Sequence, residues 1–145
     1  MKRSVMVGFS LLGALALTSV VVAARIRVSA SMLPLLAIDA SGFASSESDT
    51  ARPAANRLQA QFEVFSGDFA ALGIDPLNPA ASSVVLNVST GGSVTLNFAV
   101  DRRVAGVGDV IFTNRIRGAS APIVPPGATG TITVNGIPAV SGTFH

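Results

Sequence analysis

The stretch Val84-Val-Leu-Asn-Val-Ser-Thr-Gly-Gly-Ser-Val-Thr-Leu-Asn-Phe-Ala-Val100 decides the fold class. Two apolar runs, Val84 to Val88 and Val94 to Val100, flank Ser89-Thr90-Gly91-Gly92. In the second run Val94, Leu96, Phe98 and Val100 share one face, and Thr95, Asn97 and Ala99 share the other. A period of two is that of a strand with one buried face. The glycine pair between the runs closes a hairpin with a four-residue loop.

Reading outward, the same signal repeats. Leu58, Ala60, Phe62 and Val64 alternate with Gln59, Gln61 and Glu63. Asp109 to Thr113 is a short strand, and Pro125-Pro126-Gly127 is a turn before Thr131 to Val134. Asn135-Gly136 then fits a type I′ turn, where both central residues need positive φ, and the chain returns through Ile137 to Phe144. Pro138 cannot donate to a ladder, so it puts that last strand at an edge or beside a bulge. Phe69 to Ile74 is one helical turn ahead of Asp75-Pro76. From Arg25 onward 12 Gly and 8 Pro interrupt 121 residues, which excludes long helices. The expected fold is all-β, an antiparallel β-sandwich of jelly-roll or Ig-like type over residues 58–145. Its expected core is Phe62, Val64, Val85, Leu96, Phe98, Ile111 or Phe112, Ile132 and Val134.

Composition narrows the chemistry. Charged residues are 12% of the chain, there is no Cys, and the one His is His145. A thiol nucleophile, a disulfide framework and a His-based zinc site are therefore missing, and no enzyme activity, metal or cofactor is expected. From Arg25 onward eight Arg balance eight Asp and Glu. No basic patch and no nucleic-acid partner follow from that balance.

The first 24 residues form a unit of their own. Lys2-Arg3 precedes the uncharged run Ser4 to Ala24, which ends in Val22-Ala23-Ala24. This pattern is that of a cleaved secretory signal peptide. The run is also long enough for a membrane anchor. Gly8-Phe9-Ser10-Leu11-Leu12 resembles a prepilin processing site, although Gly13 stands where that family carries Glu. Each reading places the remainder outside the cytoplasm, secreted or at the cell surface, with membrane contact only through this segment.

Residues 25–57 read as an extension ahead of the sandwich. Ile26, Val28, Ala30 and Met32 alternate, and Leu33, Leu35 and Leu36 crowd around Pro34. One reading is an ordinary first strand. The other is a donor strand that completes a neighbour's sheet, making these seven residues a polymer interface between copies of the chain. Ser41 to Arg57, small and polar, reads as a solvated linker. Within it, Phe43-Ala-Ser-Ser-Glu47-Ser-Asp49-Thr followed by Asn56-Arg-Leu58-Gln-Ala60-Gln-Phe62-Glu-Val64 resembles the camelysin/TasA family of secreted fibre-forming proteins. Gly91-Gly92-Ser93-Val94-Thr95-Leu96-Asn97-Phe98-Ala99-Val100 is similar to that family's next stretch. Gln61 and Leu58 depart from its Gly and Phe. The resemblance covers residues 43–100 and implies a jelly-roll-like subunit polymerising into extracellular fibres.

Smaller constellations remain. Glu47 and Asp49, among Ser45, Ser46 and Ser48, are a poor start for Ca²⁺, which wants six to eight oxygens, and read as a solvated loop. Arg102-Arg103 and Arg115-x-Arg117 flank the Asp109 strand and are read as pairing with Asp101 and Asp109 on a sheet surface, or as a contact between subunits. Glu63 with Asp68, or Asp101 with Asp109, would be the carboxylate pairs of any catalytic reading. The leading expectation is a secreted structural subunit that self-assembles into a filament, pilus or surface matrix by donor-strand exchange. The rival is a monomeric or membrane-tethered extracellular binding domain, or a pilin-like subunit.

Overall fold

The computed structural model describes residues 25–102 and 108–145. The segment read as a signal, residues 1–24, together with Arg103 and Gly106-Val107, lies outside them. Eight strands follow in order: β1 (Arg25–Pro34), β2 (Ala40–Asp49), β3 (Arg57–Phe65), β4 (Val84–Val88), β5 (Gly92–Asp101), β6 (Asp109–Arg117), β7 (Thr129–Val134) and β8 (Ile137–Thr143). Hydrogen-bonded neighbours run β1-β2-β3-β6-β5-β4-β7-β8 and return to β1. Every pairing is antiparallel.

The all-β expectation is met. The two-sheet sandwich is not what the topology shows: the ladder closes into a barrel. Closure follows from β1, which pairs with β2 along its length and reaches β8 through Leu33↔Ser141 and Pro34↔Val140. Ser29 and His145 also exchange two backbone hydrogen bonds of 3.0 Å, so the terminal histidine is held by its main chain.

Within residues 25–57, Arg25–Pro34 and Ala40–Asp49 are therefore barrel wall and not an extension. The first half of the stretch read as a linker, Ser41 to Asp49, belongs to β2, paired on both sides, and residues 50–56 are the loop to β3. Its inward residues, Ala40, Gly42, Ala44, Ser46 and Ser48, are small, which erased the large-apolar alternation that marks other strands. Their size is what the barrel needs, because an eight-stranded barrel is filled by side chains from all round. A Cβ on Gly42 would stand 2.8 Å from Val140 Cγ2 and 3.0 Å from Met32 Cβ.

Phe62, Val64, Leu96, Phe112, Ile132 and Val134 are buried as expected. The rings of Phe62 and Phe112 lie 6.4 Å apart, and Phe98, half-buried, meets Phe112 edge-on at 5.8 Å. Val85 is a correction. In the run Val84 to Val88 the inward set is Val84, Leu86 and Val88, and Val85 lies opposite Thr95 and Thr133 on the outer face. The predicted I′ turn is present, with φ of 50° at Asn135 and 80° at Gly136. The β7–β8 register shifts at Ile132/Thr133, beside Pro138. The helical turn before Asp75 is a 3₁₀ helix, Ser66–Leu72.

Candidate functional site

The site is built on the outer face of β1, β2, β3 and β6. Register sets its rows, since residues directly opposite one another share a side of the sheet. One row is Arg27, Glu47, Arg57 and Arg117. The next is Ser29, Ser45, Gln59 and Arg115, followed by Ser31, Phe43, Gln61 and Thr113. Then come Ser41, Glu63 and Ile111, and finally Phe65 beside Asp109, with Asp39 bonded to Phe65 through its carbonyl.

The first two rows form an arginine-lined cleft of about 410 Å³. Arg27, Ser45, Glu47, Gln59, Arg115 and His145 are among the residues that line it. Glu47 is its anchor. Its side chain is only 7% exposed although it points outward, because Arg25, Arg27 and Arg57 fold over it. Oε1 accepts from Arg25, and Arg27 lies 3.5 Å from each oxygen. Oε2 holds Arg57 by ion pairing and not through an aligned hydrogen bond. One carboxylate cannot neutralise three guanidinium groups. Arg115 adds a fourth, fixed by a 3.1 Å hydrogen bond from its Nε to Gln59, and Arg117 a fifth. Below this surface Ser46 turns its hydroxyl inward, where Oγ is buried without a hydrogen-bond partner.

Asp49 ends β2 in a different setting. Burial pushes its carboxyl up. The Arg52 side chain, the backbone N–H groups of Arg52 and Ala51, and the Arg52 charge outweigh this and hold it below the ordinary carboxylate value. The expected solvated loop at Glu47 and Asp49 is thus a strand end whose carboxylates are committed to arginines. No group of three or more His, Asp or Glu among the described residues has a metal-binding arrangement.

The last rows form a smaller acidic groove lined by Asp39, Glu63 and Asp109, with Phe65 beside them. Asp68 sits against it, accepting the Asp39 N–H at 2.9 Å. Arg102 lies 3.5 Å from Glu63. Arg115 and Arg117 stand at the far end of β6 from Asp109, so the pairs expected for them do not form. The overall charge balance therefore conceals a separation, with an arginine cluster at one end of this wall and a carboxylate cluster at the other. The expectation of no basic patch is corrected.

Of the seven residues read as a polymer interface, Val28, Ala30 and Met32 are buried in the chain's own barrel and Ile26 is packed against the core. Leu33, Leu35 and Leu36 are exposed around the β1–β2 turn. The cleft residues Arg27, Ser29, Arg57 and Gln59 were not singled out from the sequence. Their one signal was arginine and amide groups at alternate, outward positions of strands.

Scans against protein-family models, curated proteins and solved structures found no match. Nothing in these comparisons bears on the camelysin/TasA resemblance.

Proposed function

We propose that this chain is an exported, non-catalytic β-barrel module that binds an anionic partner through its arginine-lined cleft. Export rests on Lys2-Arg3 and the uncharged run Ser4 to Ala24. Among the described residues no helix is long and apolar enough to cross a membrane. The binding reading rests on one observation: Arg25, Arg27 and Arg57 converge on a single carboxylate, Glu47, while Arg115 lines the same cleft on Gln59 and Arg117 stands opposite Arg57. Guanidinium groups held by neighbours are preorganised to take carboxylate, sulfate or phosphate oxygens in pairs, and Ser29, Ser45 and Gln59 add neutral hydrogen-bonding groups.

Strand donation, the mechanism favoured by the sequence, finds less support in this geometry. β1 is paired on both sides, so donating it would require opening the barrel and exposing Val28, Ala30 and Met32. A partner recognised by the folded surface needs no such opening. Titration calorimetry with poly-glutamate tests the proposal. Binding should be present at low salt, weaken as salt screens the charges, and fall at least several-fold in Arg115→Glu. Equal binding by wild type and Arg115→Glu would sink it.

A further inference from the structure

The wall that carries the cleft is self-complementary. Take the row Ser31, Phe43, Gln61 and Thr113 as its midline. At about 3.4 Å per residue, the Arg115 row lies roughly 7 Å to one side and the Glu63 row roughly 7 Å to the other. The Arg57 and Arg117 row lies roughly 14 Å out on the basic side, and the Phe65 and Asp109 row roughly 14 Å out on the acidic side. On β6 opposite charges, Arg117 and Asp109, thus stand at matched distances from one line, and on β2 the arginine-covered Glu47 stands at the same distance from it as Asp39. On that line Phe43 is 41% exposed, a large ring facing solvent between polar neighbours.

We infer that the anionic partner is a second copy of this chain, docked face to face about a two-fold axis that lies along the Phe43 row. The inference rests on the proposed anion-binding role of the cleft and names its partner. A half-turn about that axis reverses the strands and keeps each strand facing its own counterpart. Phe43 then meets Phe43 of the second copy. Arg117 meets Asp109, Arg115 reaches Glu63 from the adjacent strand, and on β2 Asp39 comes opposite Glu47, whose carboxylate is covered by Arg25, Arg27 and Arg57, so that the group Asp39 meets is net positive. Each pair occurs twice, which is the signature of an isologous contact. An aromatic at the centre with charges toward the rim is the usual anatomy of an interface. The wall is curved, so β2 and β3 meet squarely while the long arginines of β1 and β6 reach in from the sides. A contact of that size falls below the standard class, and the dimer is weak and salt-sensitive.

A charge-exchange experiment on the full-length protein tests this by analytical ultracentrifugation. Variant one carries Arg115→Glu and Arg117→Glu, neither of which touches Glu47. Variant two carries Glu63→Lys and Asp109→Lys. Matching thermal melts confirm that both fold. Wild type should dimerise in the micromolar range, with dissociation strengthened about tenfold or more by high salt. Each variant alone should be monomeric, and an equimolar mixture should form dimers and stop there. Phe43→Ser should weaken the wild-type dimer. Wild type monomeric at every concentration tested, or a mixture that stays monomeric, overturns the inference. Assembly into open chains overturns the two-fold geometry. Poly-glutamate titrated into the same samples separates the two levels. Monomers that still bind it defeat the inference alone, and monomers that do not bind it defeat the proposed function as well.

Discussion

The two walls of the barrel follow different designs. β1, β2, β3 and β6 carry charges outside and mix small residues with a few large rings inside. β4, β7 and β8 contain no charged residue at all, and β5 carries only its last residue, Asp101. Their outer faces are mainly Thr, Asn and Ser, with Val85, Val100 and Pro138 among them, while Val84, Leu86, Val88, Ile132 and Val134 fill the interior. The neutral wall has the composition that pleated backbone favours and nothing else to explain it. The charged wall gathers five arginines on one face, a repulsion that strand propensity does not require. Under the proposed function, recognition belongs to the charged wall and the neutral wall is scaffold.

Substitutions can test that division. The largest effect is expected at Phe112, which touches both Phe62 and Phe98. Phe112→Ala should cost about 3–5 kcal/mol in chemical denaturation, whereas Ile132→Val on the neutral wall should cost about 0.5–1.5. Next is Gly42→Ala, whose new Cβ would sit 2.8 Å from Val140 Cγ2. Overpacking there should cost about 1–3 kcal/mol, and a stability gain would show that β2 has room to spare. Glu47→Gln should cost about 1 kcal/mol, because its arginine partners are about half exposed and solvent screens them.

Asp49→Asn sharpens the comparison through pH. The folded carboxyl is held below its ordinary 3.8, so its contribution is fully present above that value and is lost as pH falls through the folded one. The substitution should flatten that part of the acid unfolding curve and leave the rest unchanged. Smallest of all, Thr95→Lys on the neutral wall should move stability by no more than about 0.5 kcal/mol and leave poly-glutamate binding unchanged.

The neutral wall was the legible one. Val94, Leu96 and Phe98, and the hairpin at Asn135-Gly136, announce themselves because large apolar residues alternate and the turn demands positive φ. β2 was hidden because its buried residues are Ala, Gly and Ser, which look like linker. β1 showed its alternation but not its destination, since its second neighbour, β8, lies a hundred residues further on. Val84 to Val88 was legible as a strand and ambiguous in face, with apolar residues on both sides. The cleft was invisible for a topological reason. Arg57 and Arg117 stand opposite each other only because β3 pairs with β6 across two intervening strands, and a charge balance of zero from Arg25 onward does not report where the charges lie.

The seam between β1 and β8 also bears on how the barrel forms. It joins Leu33 to Ser141, 108 positions along the chain (141 − 33), so it is among the contacts of highest sequence separation in this fold. Contacts of that kind reward the chain last, after the loop-closing entropy has been spent. β1 can zip to β2 early, across a tight local turn, yet its other edge stays unpaired until β8 arrives. During that interval the nascent barrel is an open curved sheet with a raw border. Gly142 governs how the interval ends, because a side chain there would run into the Ser31 carbonyl and hold the border apart. The exposure of this protein to misassembly is thus concentrated in time, in the gap between its first pairing and its last.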